Sequence, residues 1–471
     1  MASAPSVSYS ITVRLVVPAG GSAVSALTNT VEAAGGYVTA LDVTASGVDK
    51  LRIDVTCAAR DTDHANDIVD ALREVEGVDV HKVSDRTFLM HLGGTIEMAS
   101  KHPIRNRDEL SMVYTPGVAR VCMAIARDPE DARRLTIKRN SVAVVTDGSA
   151  VLGLGNIGPA AALPVMEGKA ALFKRFVGID AWPLCLDTQD VDEIVRTVQV
   201  IAPVFAGINL EDISAPRCFE VEARLRELLD IPVFHDDQHG TAIVVLAALT
   251  NALRVVDKSI SDVRIVMSGA GAAGSAIVRL LLEAGANDVV VADIDGVIHG
   301  KRANLNPSLQ WIADHTNANA FIGSLKDAVR GADVFIGVSA PNVLDGTDIA
   351  AMGPEPIVFA LANPDPEIDP AEARQFASVV ATGRSDYPNQ INNVLAFPGV
   401  FRGLLDASAS TITDSLLVAA AHAIASTVHD DELNANYVIP SVFHEEVHKS
   451  VAAAVKDAAL QATRDTPQAV S

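Results

Sequence analysis

Val263 to Gly274, V-R-I-V-M-S-G-A-G-A-A-G, constrains this chain more than any other stretch. A run of branched apolar residues meets three glycines in the spacing G-x-G-x-x-G, and a helical pattern, Ser275 to Ala284, follows at once. The order predicts a strand, a tight turn and a helix start, the unit that holds the pyrophosphate of a dinucleotide at a helix N-terminus. Gly269 permits the turn, Gly271 lets phosphate approach the backbone, and Gly274 lets helix and strand pack closely, with Ala270, Ala272 and Ala273 completing the loop. A second apolar run, Val289 to Ala292, ends in Asp293, about 20 residues beyond the glycines, where an acid meets a ribose 2′-hydroxyl. The glycine spacing alone also fits a merely buried turn.

At 471 residues the chain exceeds one ordinary core, so two or three domains are expected, and 49% hydrophobic residues are ample to fill them. A net charge of −22 opposes binding to nucleic acid or to an anionic membrane surface. No apolar run reaches the roughly 20 residues of a membrane span, and Met1 to Val7 lacks a secretory pattern, so a cytoplasmic protein is expected. Cys57, Cys122, Cys185 and Cys218 are scattered, as free and mostly buried thiols in a reducing compartment would be.

Taken in order, Tyr9 to Val17 reads as a strand, Ser22 to Ala34 as a helix, Tyr37 to Thr44 and Lys50 to Cys57 as strands, Thr62 to Glu74 as a helix, and Val78 to Ser84 as a strand. This βαββαβ order resembles the ACT regulatory domains. The resemblance implies a small-molecule effector near Pro18-Ala19-Gly20-Gly21, although the same order serves purely structural roles. Thr87 to Lys101 is expected to be a connecting strand and short helix.

Farther on stand Val113-Tyr114-Thr115-Pro116-Gly117-Val118-Ala119, a strand Ser141 to Thr146 followed by Asp147, the loop Gly153-Leu154-Gly155-Asn156-Ile157-Gly158, and Val165-Met166-Glu167-Gly168-Lys169-Ala170 opening a helix. The apolar run Val198 to Phe205, read as a strand, precedes Ile208-Asn209-Leu210-Glu211-Asp212-Ile213. Phe234-His235-Asp236-Asp237-Gln238-His239-Gly240 precedes a long helix, and Leu361-Ala362-Asn363-Pro364 and Ile391-Asn392-Asn393-Val394 follow. Singly these are turns, caps and surface acids. Together, in this order from about residue 93 to 460, they resemble the malic enzymes, most closely the smaller bacterial type.

The resemblance implies oxidative decarboxylation of L-malate to pyruvate and CO2 with reduction of a nicotinamide. It implies Glu211, Asp212 and Asp237 as ligands of Mg2+ or Mn2+, hard cations suited to carboxylate oxygens, with Asp236 hydrogen-bonded close by. His235 and His239 lack the Glu-x-x spacing of a zinc helix and are expected to shape or underlie the pocket. Lys169 would take the hydroxyl proton, for which desolvation and a nearby cation are expected to keep its amine neutral. Tyr114 would protonate C3 of enolpyruvate, while Asn363 and Asn393 would bind substrate or nicotinamide. One departure stands out: Ser149-Ala150-Val151 occupies the place where longer, animal-type members carry an arginine for the malate carboxylate, so other cations or the asparagines must substitute.

No Arg or Lys stands beside Asp293, and Asp295 adds a second carboxylate, which favours NAD over NADP, although Lys301 and Arg302 follow a few residues later. The expected fold class is α/β: a Rossmann-type doubly wound NAD domain and an α/β malic-enzyme catalytic domain, preceded by the ACT-like module. The corresponding divisions are residues 1–88, 89–240, 241–403 and a helical segment 404–471, in a homodimer or higher homo-oligomer. The rival readings are a metal-dependent dehydrogenase of another β-carboxylated 2-hydroxy acid and a non-catalytic ligand sensor.

Overall fold

A computed structural model describes residues 5–20, 22–303 and 305–465 and divides the chain into two units, Met1–Ala99 and Ser100–Ser471. In the first, β1 (Ser6–Pro18), α1 (Ala23–Ala33), β2 (Tyr37–Ser46), β3 (Lys50–Ala59), α2 (Thr62–Arg73) and β4 (Asp79–Asp85) follow the expected βαββαβ order. The strands form an antiparallel sheet in the order β2-β3-β1-β4. Val13, Leu15 and Val17 alternate inward from β1 against Leu27 and Val31 of α1 and Ile68 and Leu72 of α2. Period 2 on the strand meets a period of three to four on the helices, which closes a small core. Gly21, the last residue of the expected effector turn, lies outside the described residues, as do positions 466–471 of the C-terminal helical segment. The connection after β4 contains a helix, α3 (Arg86–His91), but not the expected strand. Asp85 caps it through hydrogen bonds from the Thr87 and Phe88 N–H groups, so the helix starts at once.

The second unit opens with α4 (Arg107–Val113), α5 (Val118–Arg127) and α6 (Asp131–Leu135). A parallel sheet, β6-β5-β7-β8, comprises β5 (Ser141–Thr146), β6 (Asp180–Cys185), β7 (Gly207–Leu210) and β8 (Val233–His235). Between the strands run α7 (Pro159–Val177), α8 (Val191–Ile201) and α9 (Arg217–Leu228). Two expectations fail here. Val198 to Phe205 is no strand: Ile194, Val195 and Val198 are buried at helical spacing, Asp190 caps α8, and the strand begins only at Gly207. Val165 does not open a helix either, because α7 already starts at Pro159, where a missing N–H costs nothing.

After α10 (Thr241–Val255) comes a six-stranded sheet, β11-β10-β9-β12-β13-β14, parallel except for β11. Its strands are β9 (Arg264–Ser268), β10 (Asp288–Asp293), β11 (Gly296–Val297), β12 (Val334–Gly337), β13 (Ile357–Ala360) and β14 (Val379–Thr382). The connections carry α11 (Ala272–Glu283), α12 (Pro307–His315), α13 (Leu325–Ala328), α14 (Gly346–Ala350) and α15 (Pro370–Ala373). Ile265 and Met267 of β9 face one buried cluster and Val266 the other, as expected for a sheet covered on both sides. The helices α16 (Phe397–Ala407), α17 (Asp414–Ala425) and α18 (Val447–Asp465) complete the unit. The division expected after residue 240 falls at the start of α10, whereas the one after 403 would cut α16. One hydrophobic cluster joins Val142, Phe173, Leu246, Ile265, Phe401 and Val451, so the four-stranded parallel sheet, the six-stranded sheet and the last helices share a core. Among the described residues no helix is long and apolar enough to cross a membrane.

Candidate active site

Three strands of the four-stranded parallel sheet end in acids: Asp147 follows β5, Glu211 and Asp212 follow β7, and Asp236 and Asp237 follow β8. Carboxyl ends of parallel strands are where α/β folds collect ligands, because the loops there are free to diverge. Glu211, Asp212 and Asp237 each offer an oxygen within 4.8 Å of the others'. The Asp212 backbone is left-handed at φ 54, and its N–H donates to Asp237 Oδ2 at 2.8 Å, a local arrangement that turns both carboxylates to one place. Asn209, from within β7, steadies Glu211 through Nδ2 at 2.9 Å.

The electrostatics of this cluster call for a cation. Burial pushes the Asp212 carboxyl up to about 8, helped by Asp237 and Glu211. Burial likewise raises Glu211 to about 7, against the pull of Lys169, and Asp237 to about 6, with Asp236 adding to the rise. Asp212 Oδ2 is buried without any hydrogen-bond partner. An all-oxygen, mutually repelling donor set with an orphaned carboxylate oxygen fits Mg2+ or Mn2+.

Lys169 projects from the middle of α7 and is 7% exposed. Its Nζ lies 2.9 Å from Glu211 Oε1 and 2.5 Å from Asp236 Oδ2, and sits over the Phe397 ring at 4.2 Å from its centroid. Burial pulls this ammonium down, but Asp236 and Glu211 outweigh it and hold it well above the usual lysine value. In the metal-free chain the neighbours of Lys169 are therefore carboxylates, which favour its charged form. Asp236 is buried, and burial pushes it up to about 7 although Lys169 lowers it.

Asn393, expected to touch substrate or nicotinamide, donates through Nδ2 to Asp236 Oδ2 at 2.6 Å and so holds the partner of Lys169. Asn363 stands exposed past the end of β13, and a Cβ added at Gly153 would meet its carbonyl oxygen at 3.0 Å, so the start of the glycine loop approaches Asn363 closely. Tyr114 is not gathered in: it is 68% exposed and is not among the partners of Lys169, which are Glu211, Asp236 and Phe397.

His239 bonds Glu222 at 2.7 Å; burial pushes that carboxyl up, but His239 and Arg226 outweigh it and bring it to about 2. His235 is fully buried, which lowers it to about 4; neither ring nitrogen has a hydrogen-bond partner, and Nδ1 lies 3.7 Å from Asp237 Oδ2.

Around the glycine turn, a Cβ at Gly274 would meet the Gly269 carbonyl oxygen at 2.1 Å, whereas one at Gly271 would meet nothing within 4 Å. That is close helix–strand packing beside open room for phosphate. Gly269 itself has φ 104 and backs onto the Val338 carbonyl, where a side chain would not fit. Asp293 ends β10, but the expectation that no cation stands by it is corrected: Arg302 NH1 lies 2.9 Å from Asp293 and its NH2 3.2 Å from Asp295.

Two families of models match in sequence order, the malic enzyme N-terminal domain over residues 93–226 and the malic enzyme NAD binding domain over residues 238–460. The chain belongs to the malic enzyme family. It is similar to the NAD-dependent malic enzyme of Geobacillus stearothermophilus, at 58% identity over 91% of this chain and 90% of that one. It is also similar to the bifunctional malic/malolactic enzyme of Bacillus subtilis, at 53% identity over 83% of this chain and 94% of that one. The crystal structure of malic enzyme from Pyrococcus horikoshii Ot3 is similar with TM-score 0.76 and 50% identity, covering 79% of this chain and 88% of that one. As a malic enzyme the chain uses NAD and a divalent cation, and the six-stranded sheet carrying the glycine turn is its NAD-binding part.

Three further residues escaped the sequence reading. Asp147 accepts from the Ser149 N–H at 3.0 Å and from Arg217 NH2 at 3.2 Å, which brings a cation near the Ser149-Ala150-Val151 segment that lacks one of its own. Glu367, fully buried, accepts from the Ala362 N–H at 3.0 Å and the Ser339 N–H at 2.7 Å, and so anchors the backbone beside Asn363. These pairings join residues 28 to 70 positions apart or lie in loops of no special pattern, so no local spacing signals them.

Proposed function

We propose that this chain converts L-malate to pyruvate and CO2 with NAD, in the cytoplasm, through the site at the ends of β5, β7 and β8. The observation that carries the reading is the buried set Lys169–Asp236–Glu211 beside the three-carboxylate cluster. Glu211, Asp212 and Asp237 would hold the divalent cation, which when bound supplies Lewis-acid polarisation of the malate C2 oxygen while NAD accepts the C2 hydride. Gly269 to Gly274 would seat the pyrophosphate, Asp293 the adenosine ribose, and Asn363 the nicotinamide or substrate.

Lys169 accepts the C2 hydroxyl proton as the hydride leaves. It must first give up its own, and Asp236 Oδ2, 2.5 Å away, is the nearest acceptor. Asn393 keeps that carboxylate turned towards Lys169. The C3–C4 bond then breaks, CO2 leaves, and Tyr114 O–H protonates C3 of the enolate to give pyruvate. Tyr114 is exposed, and so are the apolar side chains of Ile104, Leu110, Met112, Val113 and Met123 in the same stretch of chain. The working enzyme is a homo-oligomer in which a second copy covers these side chains and Tyr114 closes the site of a neighbouring copy.

Residues 1–88 form a regulatory module for a small-molecule effector near Pro18 to Gly20. Incubation with L-malate, NAD and Mn2+ tests the activity: NADH and CO2 in equal amounts are expected. NADH without CO2 would mean a simple dehydrogenase, and neither product a ligand sensor.

A further inference from the structure

A cleft of about 470 Å³ lies away from the site just described, between α6, the turn Ile137–Asn140 and the helices α16 and α18. Arg133 and Arg134 enter it from α6, Arg139 from the turn, Arg402 from α16 and Lys456 from α18. Against these five cations its lining has two carboxylates, Glu130 and Asp406, a local excess of three positive charges in a chain of net charge −22. Elsewhere the field of this chain repels anions, so such a basin concentrates them.

The cations are not equivalent. Asp131 holds Arg134 at 2.8 Å, and Asp406 holds Arg402 at 2.5 Å. Among the described residues Arg133, Arg139 and Lys456 have no ion-pair partner, and they come from three separate elements. The walls are well fixed. Arg402 NH1 donates to Asn140 Oδ1 at 2.8 Å, which ties α16 to the turn, and a Cβ at Gly403 would meet Val455 Cβ at 2.7 Å, so α16 and α18 pack backbone to side chain. Arg139 precedes β5 and Asp147 follows it, so the cleft and the carboxylate cluster lie at opposite ends of that strand, about 20 Å apart. Helix α16 runs between them, with Phe397 under Lys169 at its start and Arg402 in the cleft.

We propose that this cleft is a binding site for the phosphoryl group of a small phosphorylated molecule, separate from the metal and coenzyme sites. A carboxylate offers two coplanar oxygens, which a single guanidinium fork satisfies. A phosphoryl group offers three oxygens pointing apart, and unpaired donors from α6, the turn and α18 match that divergence. The volume lies within the range of small-molecule sites.

The test is calorimetric titration of inorganic phosphate into the full chain saturated with NAD and Mg2+, at low ionic strength. Saturable binding is expected, weakened at least about tenfold by the double change Arg133→Ala and Arg139→Ala, and less than about threefold by Arg134→Ala, because Asp131 already occupies that guanidinium. Lys456→Gln, on the exposed side of α18, should also weaken it and guards against a folding defect in the double variant. Citrate at equal concentration should leave phosphate binding unchanged. Absence of saturable binding, including through closure of the cleft by a second copy of the chain, would overturn the proposal. So would affinity indifferent to Arg133, Arg139 and Lys456, or displacement by citrate, which would mark a carboxylate site.

Discussion

Lys169 Nζ and Asn393 Nδ2 converge on one oxygen, Oδ2 of Asp236, at 2.5 and 2.6 Å. That carboxylate is fully buried, so its charge depends on these two donors. A base that abstracts the malate hydroxyl proton needs somewhere to put its own, and this shared oxygen is the nearest acceptor. Lys169→Ala should lower kcat about 100- to 10,000-fold, the range of a lost proton-transfer group. Asp236→Asn should lower it by a similar factor, whereas Asn393→Ala, which only loosens the carboxylate, should lower it less. Turnover beside NAD affinity from fluorescence titration checks this. Equal losses of coenzyme binding would point to misfolding instead.

Activity and metal binding should share a pH dependence. Asp237, Glu211 and Asp212, raised to about 6, 7 and 8, bind protons more tightly folded than unfolded, where carboxyls titrate near 4. On their account the metal-free fold is favoured at low pH and loses stability as pH rises from about 4 through about 8. A divalent cation needs the deprotonated forms. The rise in melting temperature on adding Mn2+ should therefore grow from pH 5 to pH 8. A shift that is flat or shrinks over that range would contradict the assignment of these carboxylates.

Coenzyme choice should turn on Arg302. Asp293 and Asp295 clamp its guanidinium, which keeps it from a 2′-phosphate. Asp293→Ser with Asp295→Asn should release it and raise the ratio of kcat/KM for NADP over NAD at least about tenfold. Adding Arg302→Ala should remove that gain. A gain that persists without Arg302 would assign selectivity elsewhere.

Tyr114 and Lys169 offer a test of assembly. Alone, Tyr114→Phe should abolish pyruvate formation yet still permit reduction of oxaloacetate by NADH, and Lys169→Ala should stop malate oxidation. If the tyrosine serves a neighbouring copy, co-refolding the two variants should restore about a quarter of wild-type turnover, from mixed assemblies that hold one intact site. No recovery from mixed dimers would place both residues in the same chain's site.

Residues before Ser100 contain none of the groups assigned to chemistry, and Met1–Ala99 has its own core around Leu15, Leu27 and Ile68. A truncation starting near Ser100 should keep turnover within about threefold and lose any response to an effector, which must favour one of two enzyme states to act at all. A soluble, correctly assembled truncation without activity would contradict this separation.

A short strand buried on both faces was legible to the residue: Ser141–Thr146 is an apolar run that ends at the turn Asp147-Gly148. Val198 to Phe205 misled because the apolar stripe at the end of an amphipathic helix, read without its Asp190 cap, looks like the same run, while the true strand has only four residues. At the site, the resemblance named Glu211, Asp212 and Asp237, and their oxygens do come within 4.8 Å of one another. The state of Lys169 was not legible, since it depends on carboxylates 42 and 67 positions away closing around it in three dimensions. Arg302 shows the same limit: nine residues separate it from Asp293, and the β10–β11 hairpin brings them together.

The most direct test of this account is Mn2+ binding by the NAD-loaded chain, followed by electron paramagnetic resonance at pH 7.5. The carboxylate cluster predicts one site, weakened at least about tenfold by Asp237→Asn while the melting transition of the metal-free protein stays cooperative, because the substitution removes an anionic ligand and relieves carboxylate repulsion. Mn2+ affinity equal in wild type and Asp237→Asn would contradict it.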